Sequence, residues 1–167
     1  CLPGSRLSEV KRLTSIFGET IQKLKNSIPD LRVVLPAATS VSSEVRKEIY
    51  TWKEQPILLD SNNDFQAEFL AQKRAAFRAA DFALAASGTV SLELAANLTP
   101  MVIGYDMNWL SRQILGRMIK IDTFTLVNII TKTKDSPEFL GSECNSKNLS
   151  EALLGVANAP DGQKPAM

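Results

Sequence analysis

The sequence predicts an α/β fold, a doubly wound parallel sheet with helices on both faces. Short runs of apolar and β-branched residues alternate with segments whose apolar residues recur every three or four positions, as on one face of a helix. This alternation is typical of βαβ units and a parallel sheet. The chain has 167 residues, of which 44% are hydrophobic and 22% are charged. We therefore expect one globular domain over residues 1–167, with enough apolar side chains for a core.

The first helix is predicted over residues 7–28. One face of it carries apolar residues at steps of three and four, namely Val10, Leu13, Ile16, Phe17, Ile21, Leu24 and Ile28. Gly18 lies inside this pattern, at a cost of up to about 1 kcal/mol relative to alanine. Pro29 and Asp30 end the helix. The β-branched run over residues 31–36 predicts a buried strand.

The middle of the chain continues the alternation. A second helix is predicted over residues 42–53, and its apolar side consists of Val45, Ile49 and Trp52. The apolar run at residues 57–59 predicts a strand. Residues 65–79 are rich in alanine and predict a third helix. The arginines near its end carry a charge that suits the C-terminal end of the helix dipole. Residues 82–86 predict a third strand.

The last part of the chain adds three helices and two strands. A short helix is predicted to stop before Pro100, which cannot continue it. Helices are predicted over residues 89–97, 109–120 and 145–157, and strands over residues 101–105 and 124–130. A polar tail with proline and glycine follows at residues 158–167.

The start of the chain departs from this pattern. The first helix of a βαβ arrangement follows a full strand, but only Cys1 and Leu2 precede the turn before residue 7. We therefore expect the first strand to be largely missing and the chain to begin inside a larger protein. A second interpretation is a mature lipoprotein whose Cys1 carried lipid, although such proteins usually place a polar tether after the cysteine.

The composition excludes several classes of function. The sequence contains no histidine, which excludes Ser-His-Asp and Cys-His catalysis and most zinc sites. Its two cysteines, Cys1 and Cys144, are too few for a metal cluster or a disulfide framework, and we expect Cys144 to be structural. The net charge of +1 argues against a strongly basic nucleic-acid binder. No apolar run reaches the roughly 18 residues of a membrane span, and no signal peptide is visible.

Two predicted strand-to-helix turns carry groups suited to phosphate. In the first turn, Gly4 lets the backbone approach a ligand closely. Ser5 is predicted to cap the following helix, whose N-terminus attracts anions. Arg6 adds a charge suited to bidentate contact with phosphate. The alternative for this turn by itself is a capped turn with a surface arginine.

The second turn contains Ser87, Gly88 and Thr89, whose hydroxyl and backbone N–H groups form another phosphate cradle at a helix N-terminus. Glu93 lies one helical turn after Thr89 on the same face, where its carboxylate can accept hydrogen bonds from two ribose hydroxyls. The alternative is a glutamate that is simply favoured by the helix dipole. Neither turn matches the P-loop or GxGxxG pattern. Together they predict a diphosphate held between two helix ends, with a sugar beyond.

Further motifs accompany these two turns. In chain order the set is Leu2-Pro3-Gly4-Ser5-Arg6 with Glu9-Val10, Ala86-Ser87-Gly88-Thr89 with Leu92-Glu93, Pro100-Met101-Val102-Ile103-Gly104-Tyr105 with Met107, Leu126-Val127-Asn128, Pro137-Glu138-Phe139-Leu140 and Glu143-Cys144. In this order and at these spacings, the motifs resemble the lipid-A-disaccharide synthase family over nearly the whole chain. The resemblance is to the C-terminal half of that family, the nucleotide-sugar side of a two-domain GT-B glycosyltransferase with a Rossmann-like fold.

The resemblance implies an inverting glycosyltransferase of lipid A biosynthesis. Enzymes of the family join UDP-2,3-diacylglucosamine to 2,3-diacylglucosamine 1-phosphate, releasing UDP and lipid A disaccharide 1-phosphate. It also implies that no metal or cofactor is needed, and that the enzyme is cytoplasmic and peripheral at the inner membrane of a Gram-negative bacterium. The catalytic base would lie in the N-terminal domain, so this chain alone is expected to be inactive.

The resemblance also implies roles for individual residues. It places Arg6, Ser87, Gly88 and Thr89 at the UDP diphosphate, where Gly4 and Ser5 are predicted from the chemistry of the first turn, and similarity to related GT-B enzymes places Glu93 at the ribose. Arg6 would stabilise the departing UDP, and Glu93 would bind the ribose. Asn128 and Glu138 lie in family motifs and are expected to face the cleft between the two domains.

Other interpretations remain open at this point. Asp135 and Ser136 stand where apolar residues are commoner in the family. Residues 109–120 carry three cations and no acids among apolar residues, which suits either a membrane-surface helix or a core-packing helix with a solvated basic face. The alternatives for function are another GT-B enzyme that uses a UDP-sugar, such as a transferase with a different acceptor or a UDP-N-acetylglucosamine epimerase, and a non-enzymatic nucleotide-binding module.

Overall fold

The computed structural model describes residues 1–60, 66–106 and 123–159. The α-helices of this part of the chain are α1 (Leu7–Ser27), α2 (Ser42–Ile49), α3 (Gln66–Ala79), α4 (Val90–Ala96), α5 (Leu126–Thr131) and α6 (Ser146–Asn158). The strands are β1 (Val34–Ala37), β2 (Ile57–Asp60), β3 (Ala83–Ala86), β4 (Met101–Tyr105) and β5 (Glu138–Leu140). Short 3-10 helices over Thr39–Val41 and Gly141–Glu143 precede α2 and α6.

The strands pair in parallel and form two small sheets. β1 pairs with β2, and β3, β4 and β5 form a sheet in that order. Leu2 lies beside β3, because its N–H donates to the carbonyl of Leu84 and its carbonyl accepts the N–H of Ala86. The terminal amine of Cys1 donates to the carbonyl of Val34 on β1 at 2.8 Å. Residues 1 and 2 therefore stand between β1 and β3, in the place expected for the first strand.

Helices cover both faces of the three-stranded sheet. Leu84 and Ala86 of β3 belong to a core cluster that includes buried residues of α1, α2 and α6. Ala83 and Ala85 belong to a second cluster that includes buried residues of α3, α4 and α5. Successive side chains of a strand point to opposite faces, so β3 is buried on both sides, as is typical of parallel sheets. The predicted α/β class with a doubly wound sheet is confirmed.

The predicted elements before residue 106 are confirmed, with boundaries that differ by a few residues. Gly18 lies inside α1, and a Cβ there would stand 2.6 Å from Nε1 of Trp52. The glycine therefore makes room for this indole against the helix, which explains its place in a pattern that otherwise favours a side chain. The predicted helix at residues 109–120, Met107 and the tail from residue 160 lie outside the described residues.

The predicted strand over residues 124–130 is wrong, because α5 occupies this segment. The run is apolar and β-branched, but its tertiary contacts favour a helix. The carboxylate of Glu138 accepts the backbone N–H groups of Phe124 and Thr125 immediately before α5, so these donors are satisfied as the helix begins. Lys132, with a left-handed φ of 57°, ends it. The sequence also did not predict the three-residue strand β5, which is too short to show a period.

Candidate functional site

The two turns that the sequence predicted as phosphate-binding leave neighbouring parallel strands. Leu2 leads into residues 3–6, and Ala86 leads into residues 87–89. The N–H of Ala86 donates to the carbonyl of Leu2 at 2.8 Å, and Leu2 forms a parallel bridge with Ala85. Both turns therefore start side by side at the carboxyl edge of the strands, where open α/β sheets bind their ligands.

The first turn is organised by the carboxylate of Glu9, a residue of the first sequence motif to which the sequence predictions gave no role. Oε2 of Glu9 accepts the backbone N–H of Ser5 at 3.1 Å and of Arg6 at 3.3 Å, while Oε1 accepts from Nη1 of Arg6 at 3.1 Å. Gly4 has a φ of 117°, which favours glycine. An acidic residue at the third position of a helix is half of a capping box, and that spacing is the signal that could have identified Glu9.

The prediction that Ser5 caps α1 is wrong. The residue at the N-cap is Arg6, whose guanidinium carries only donors and cannot accept from the helix. The Glu9 carboxylate takes over this role because it reaches back from the first turn of α1 to the N–H groups of Ser5 and Arg6. Both residues are exposed, so the hydroxyl and the guanidinium lie at the surface of the turn.

The Arg6 guanidinium is largely exposed at this edge and is paired with Glu9. The Arg6 side chain is 77% exposed, whereas that of its partner Glu9 is only 10% exposed. A guanidinium carries five N–H donors in a planar fork, and the hydrogen bond to Glu9 uses one of them. The ion pair therefore fixes one side of the guanidinium and leaves further donors for a ligand.

The second turn combines an open backbone with polar groups. Gly88 has a φ of 154°, and a Cβ there would meet no atom of the described residues within 4 Å. The hydroxyl of Ser91 donates to the Gly88 carbonyl at 2.9 Å, and the N–H of Leu92 donates to the Thr89 carbonyl at 3.0 Å as α4 begins. Ser87 is half-buried and Thr89 is exposed. Backbone and hydroxyl groups beside open space suit an anion at the start of a helix.

Glu93 lies in the first turn of α4, as its spacing predicted, and is paired with a lysine of α3. Nζ of Lys73 stands 3.0 Å from Oε1 and 2.8 Å from Oε2 of Glu93, and 5.4 Å from the centre of the Phe77 ring. The Glu93 side chain is 46% exposed, so its oxygens keep room to accept from a ligand. Lys73 was missed because it is 20 residues away in the chain and belongs to no motif.

Asn128 and Glu138 hold the segment before β5 together. Asn128 is buried, and its amide donates to the carbonyl of Ser136 at 2.8 Å and accepts the N–H of Ser136 at 3.1 Å. Glu138 accepts the N–H of Thr125 at 2.9 Å. Glu138 is on β5, and β3 and β4 lie between it and Leu2. At ordinary strand spacing this places β5 roughly 14 Å from Leu2. The contact of both residues with substrate stays a prediction.

Cys144 packs inside the core, which confirms its predicted structural role. Cys144 is only 3% exposed. Burial raises the pKa of its thiol to about 11, and the nearby Asp106 carboxylate has a smaller effect in the same direction. A Cβ at Gly104 would lie 3.0 Å from Sγ of Cys144. The thiol therefore stays protonated near neutral pH, where it cannot act as a nucleophile.

The part of the chain that the structure describes contains neither a metal-binding cluster nor a helix that could span a membrane. No three His, Cys, Asp or Glu side chains in residues 1–60, 66–106 and 123–159 lie close enough together to hold a metal ion. Within the same ranges, none of the helices is both long enough and apolar enough to cross a membrane.

Comparison with known proteins identifies the family. A family model described as lipid-A-disaccharide synthetase matches residues 1–166. This chain belongs to the lipid-A-disaccharide synthetase family. Relatives named lipid-A-disaccharide synthase include one from Ruegeria pomeroyi, 47% identical over 99% of the chain, and one from Nitrobacter winogradskyi, 40% identical over 93%. A third relative, from Rhodospirillum centenum, is 37% identical over 98% of the chain.

Membership in the lipid-A-disaccharide synthetase family confirms the resemblance seen in the motifs. The chain covers 41% of the length of the Ruegeria relative, 37% of the Nitrobacter relative and 39% of the Rhodospirillum relative. It thus spans about two fifths of the proteins that it matches.

Proposed function

We propose that this chain forms the donor-binding part of a lipid-A-disaccharide synthase. In this proposal the diphosphate of UDP-2,3-diacylglucosamine lies between the turns at residues 3–6 and 87–89. The observation that carries the proposal is the hydrogen bond from the N–H of Ala86 to the carbonyl of Leu2, because it sets the two turns side by side. Family membership supports the reaction, in which 2,3-diacylglucosamine 1-phosphate is the acceptor.

Each turn contributes a different kind of group. Ser87, Gly88 and Thr89 approach the diphosphate with hydroxyl and backbone N–H groups at the start of α4. In the first turn, Glu9 already occupies the N–H groups of Ser5 and Arg6, so the positive charge there comes from the guanidinium. Gly4 allows the chain to turn closely enough to bring this guanidinium to the edge, and Ser5 adds a hydroxyl beside it.

The chemistry is a displacement at the anomeric carbon of the donor sugar. The acceptor hydroxyl forms the new C–O bond while the bond to UDP breaks, and the electron pair of that bond goes to the departing diphosphate. Arg6 stabilises this negative charge, which grows as the transition state forms and is complete in released UDP. A base outside these residues removes the proton of the acceptor hydroxyl. Glu93 holds the ribose through its carboxylate oxygens.

The acylated substrates favour a location at a membrane surface. We expect the enzyme to be peripheral at the cytoplasmic face of the inner membrane. The helix predicted over residues 109–120, which carries cations among apolar residues, is the candidate for contact with lipid. The family resemblance implies that the proposed displacement reaction uses no metal ion or cofactor.

Calorimetry with the 167-residue chain tests the donor site. We expect tighter binding of UDP than of uridine, because the diphosphate adds charge-assisted hydrogen bonds. Equal affinities would remove the diphosphate site. When donor and acceptor lipids are supplied together, we expect no disaccharide, and its formation would place the base within this chain.

A further inference from the structure

We propose that Glu9 is a positioning residue of the donor site, whose carboxylate fixes the Arg6 guanidinium and the backbone of the first turn in the geometry that receives the diphosphate. The inference rests on the proposed function and deepens it. Glu9 acts through Arg6 and does not itself touch the substrate.

The two oxygens of Glu9 have separate partners. Oε2 accepts from the backbone N–H groups of Ser5 and Arg6, and Oε1 accepts from the Arg6 guanidinium. One carboxylate therefore ties the head of the arginine to the backbone of the turn from which that arginine extends. A long, exposed side chain otherwise loses much rotamer freedom when it binds a ligand, and ordering it beforehand reduces this cost.

The space around the carboxylate supports the same role. A Cβ at Gly4 would lie 2.5 Å from Oε2 of Glu9 and 2.7 Å from its Cβ. The glycine is thus required by the position of the Glu9 side chain as well as by its own φ of 117°. The turn is therefore built closely around this carboxylate, and only glycine at position 4 leaves room for it.

The exposure of the two charged side chains, Glu9 and Arg6, also agrees with a positioning role for Glu9. A free carboxylate at this edge would repel a diphosphate, but the Glu9 side chain is only 10% exposed and both of its oxygens are hydrogen-bonded. The Arg6 side chain is 77% exposed. An approaching anion therefore meets the guanidinium, while the carboxylate that orients it stays largely covered.

Simple capping of α1 is the competing explanation, and two substitutions separate it from positioning. Glu9→Gln keeps a side-chain oxygen that can accept from backbone N–H groups, but it removes the charge that holds the guanidinium. Glu44→Gln is the matched control. Glu44 lies in the first turn of α2, has a side chain that is 20% exposed and pairs with Lys11 at 3.8 Å.

The experiment measures the affinity of the 167-residue chain for UDP and for uridine by calorimetry, together with its melting temperature. We expect Glu9→Gln to weaken UDP binding roughly tenfold while uridine binding changes less than about twofold, because the lost contact serves the diphosphate. Glu44→Gln should change neither affinity. In an Arg6→Ala background, Glu9→Gln should weaken UDP binding no further, since Glu9 acts through Arg6.

Four results would overturn a part of this account, and each identifies which part. Unchanged UDP affinity in Glu9→Gln, with weakened binding in Arg6→Ala, would refute positioning and leave the proposed function standing. Equal losses for UDP and uridine with a lower melting temperature would show that the charge of Glu9 stabilises the fold of the turn and would refute a specific effect on the diphosphate. Losses that add in the double variant would show that Glu9 acts independently of Arg6. Unchanged UDP affinity in Arg6→Ala would refute the diphosphate site itself.

Discussion

The ammonium group of Lys73 lies 2.8 Å from one carboxylate oxygen of Glu93 and 3.0 Å from the other, and so joins α3 to α4. Because the Glu93 side chain is 46% exposed, water screens the pair, and such pairs contribute about 1 kcal/mol or less to stability. For ligand binding, the orientation that Lys73 gives to the Glu93 carboxylate is more important than this contribution to stability. The lysine holds the carboxylate one helical turn beyond Thr89, where we expect the ribose to bind.

We expect Glu93→Gln to weaken the binding of UDP more than that of pyrophosphate, which has no ribose. The loss for UDP should be roughly 1–2 kcal/mol, since a hydrogen bond to a charged group is worth about 1.5–3 kcal/mol and the amide recovers part of it. Calorimetry with both ligands measures the difference. Lys73→Met, which keeps the carboxylate but removes the ion pair that orients it, should weaken UDP binding in the same direction by a smaller amount. Equal losses for the two ligands in Glu93→Gln would remove the ribose assignment.

Gly4→Ala should destabilise the fold by more than about 2 kcal/mol. The left-handed backbone costs an L-residue roughly 1–2 kcal/mol, and the new Cβ would also collide with Glu9 at 2.5 Å. Gly155→Ala is the control, because Gly155 lies inside α6 and a Cβ there meets no atom of the described residues within 4 Å. It should stabilise the chain by up to about 1 kcal/mol. Urea unfolding measures both, and a neutral Gly4→Ala would contradict the observed geometry of the turn.

Stability should fall above pH 9 because of Cys144. Burial raises the pKa of its thiol from the ordinary value of 9.0 to about 11. Both folded and unfolded chains keep this proton below pH 9, whereas between pH 9 and pH 11 the unfolded chain releases it first. The free energy of unfolding therefore decreases by up to roughly 1.4 kcal/mol per pH unit in this window. Cys144→Ala should show a shallower decline over the same range, and an identical slope in the two proteins would contradict the shift.

Regular periods made much of the fold predictable from the sequence. The apolar face of α1 and the buried run of β3 are set by local patterns whose periods differ, so they were assigned correctly. The segment around α5 failed because its apolar, β-branched composition suits a strand, whereas the decisive contact comes from Glu138, 13 residues beyond Thr125. No local window contains that information.

The two turns were predictable from the sequence because glycine favours the backbone conformations of tight turns, and Gly4 and Gly88 do adopt positive φ values there. The contact of Arg6 with phosphate stays a prediction. Lys73 depends on how α3 packs beside α4, which only the folded chain shows. Glu9 carried a local signal, its spacing from the helix start, but its contact with the Arg6 guanidinium depends on the conformation of the turn.

In the proposed function, Arg6 stabilises the diphosphate of the donor. The most direct test measures turnover by the complete enzyme, of which we propose that this chain is a part. Arg6→Ala should lower kcat about 100- to 1000-fold, as is common when one stabiliser of a leaving group is lost. Its melting temperature should stay nearly unchanged, because an exposed arginine contributes within about 0.5 kcal/mol to stability. Arg6→Lys should recover only part of the activity, since a point charge lacks the planar fork. Near-normal kcat in Arg6→Ala together with an early melting transition would show that Arg6 is structural and that the phosphate site lies elsewhere.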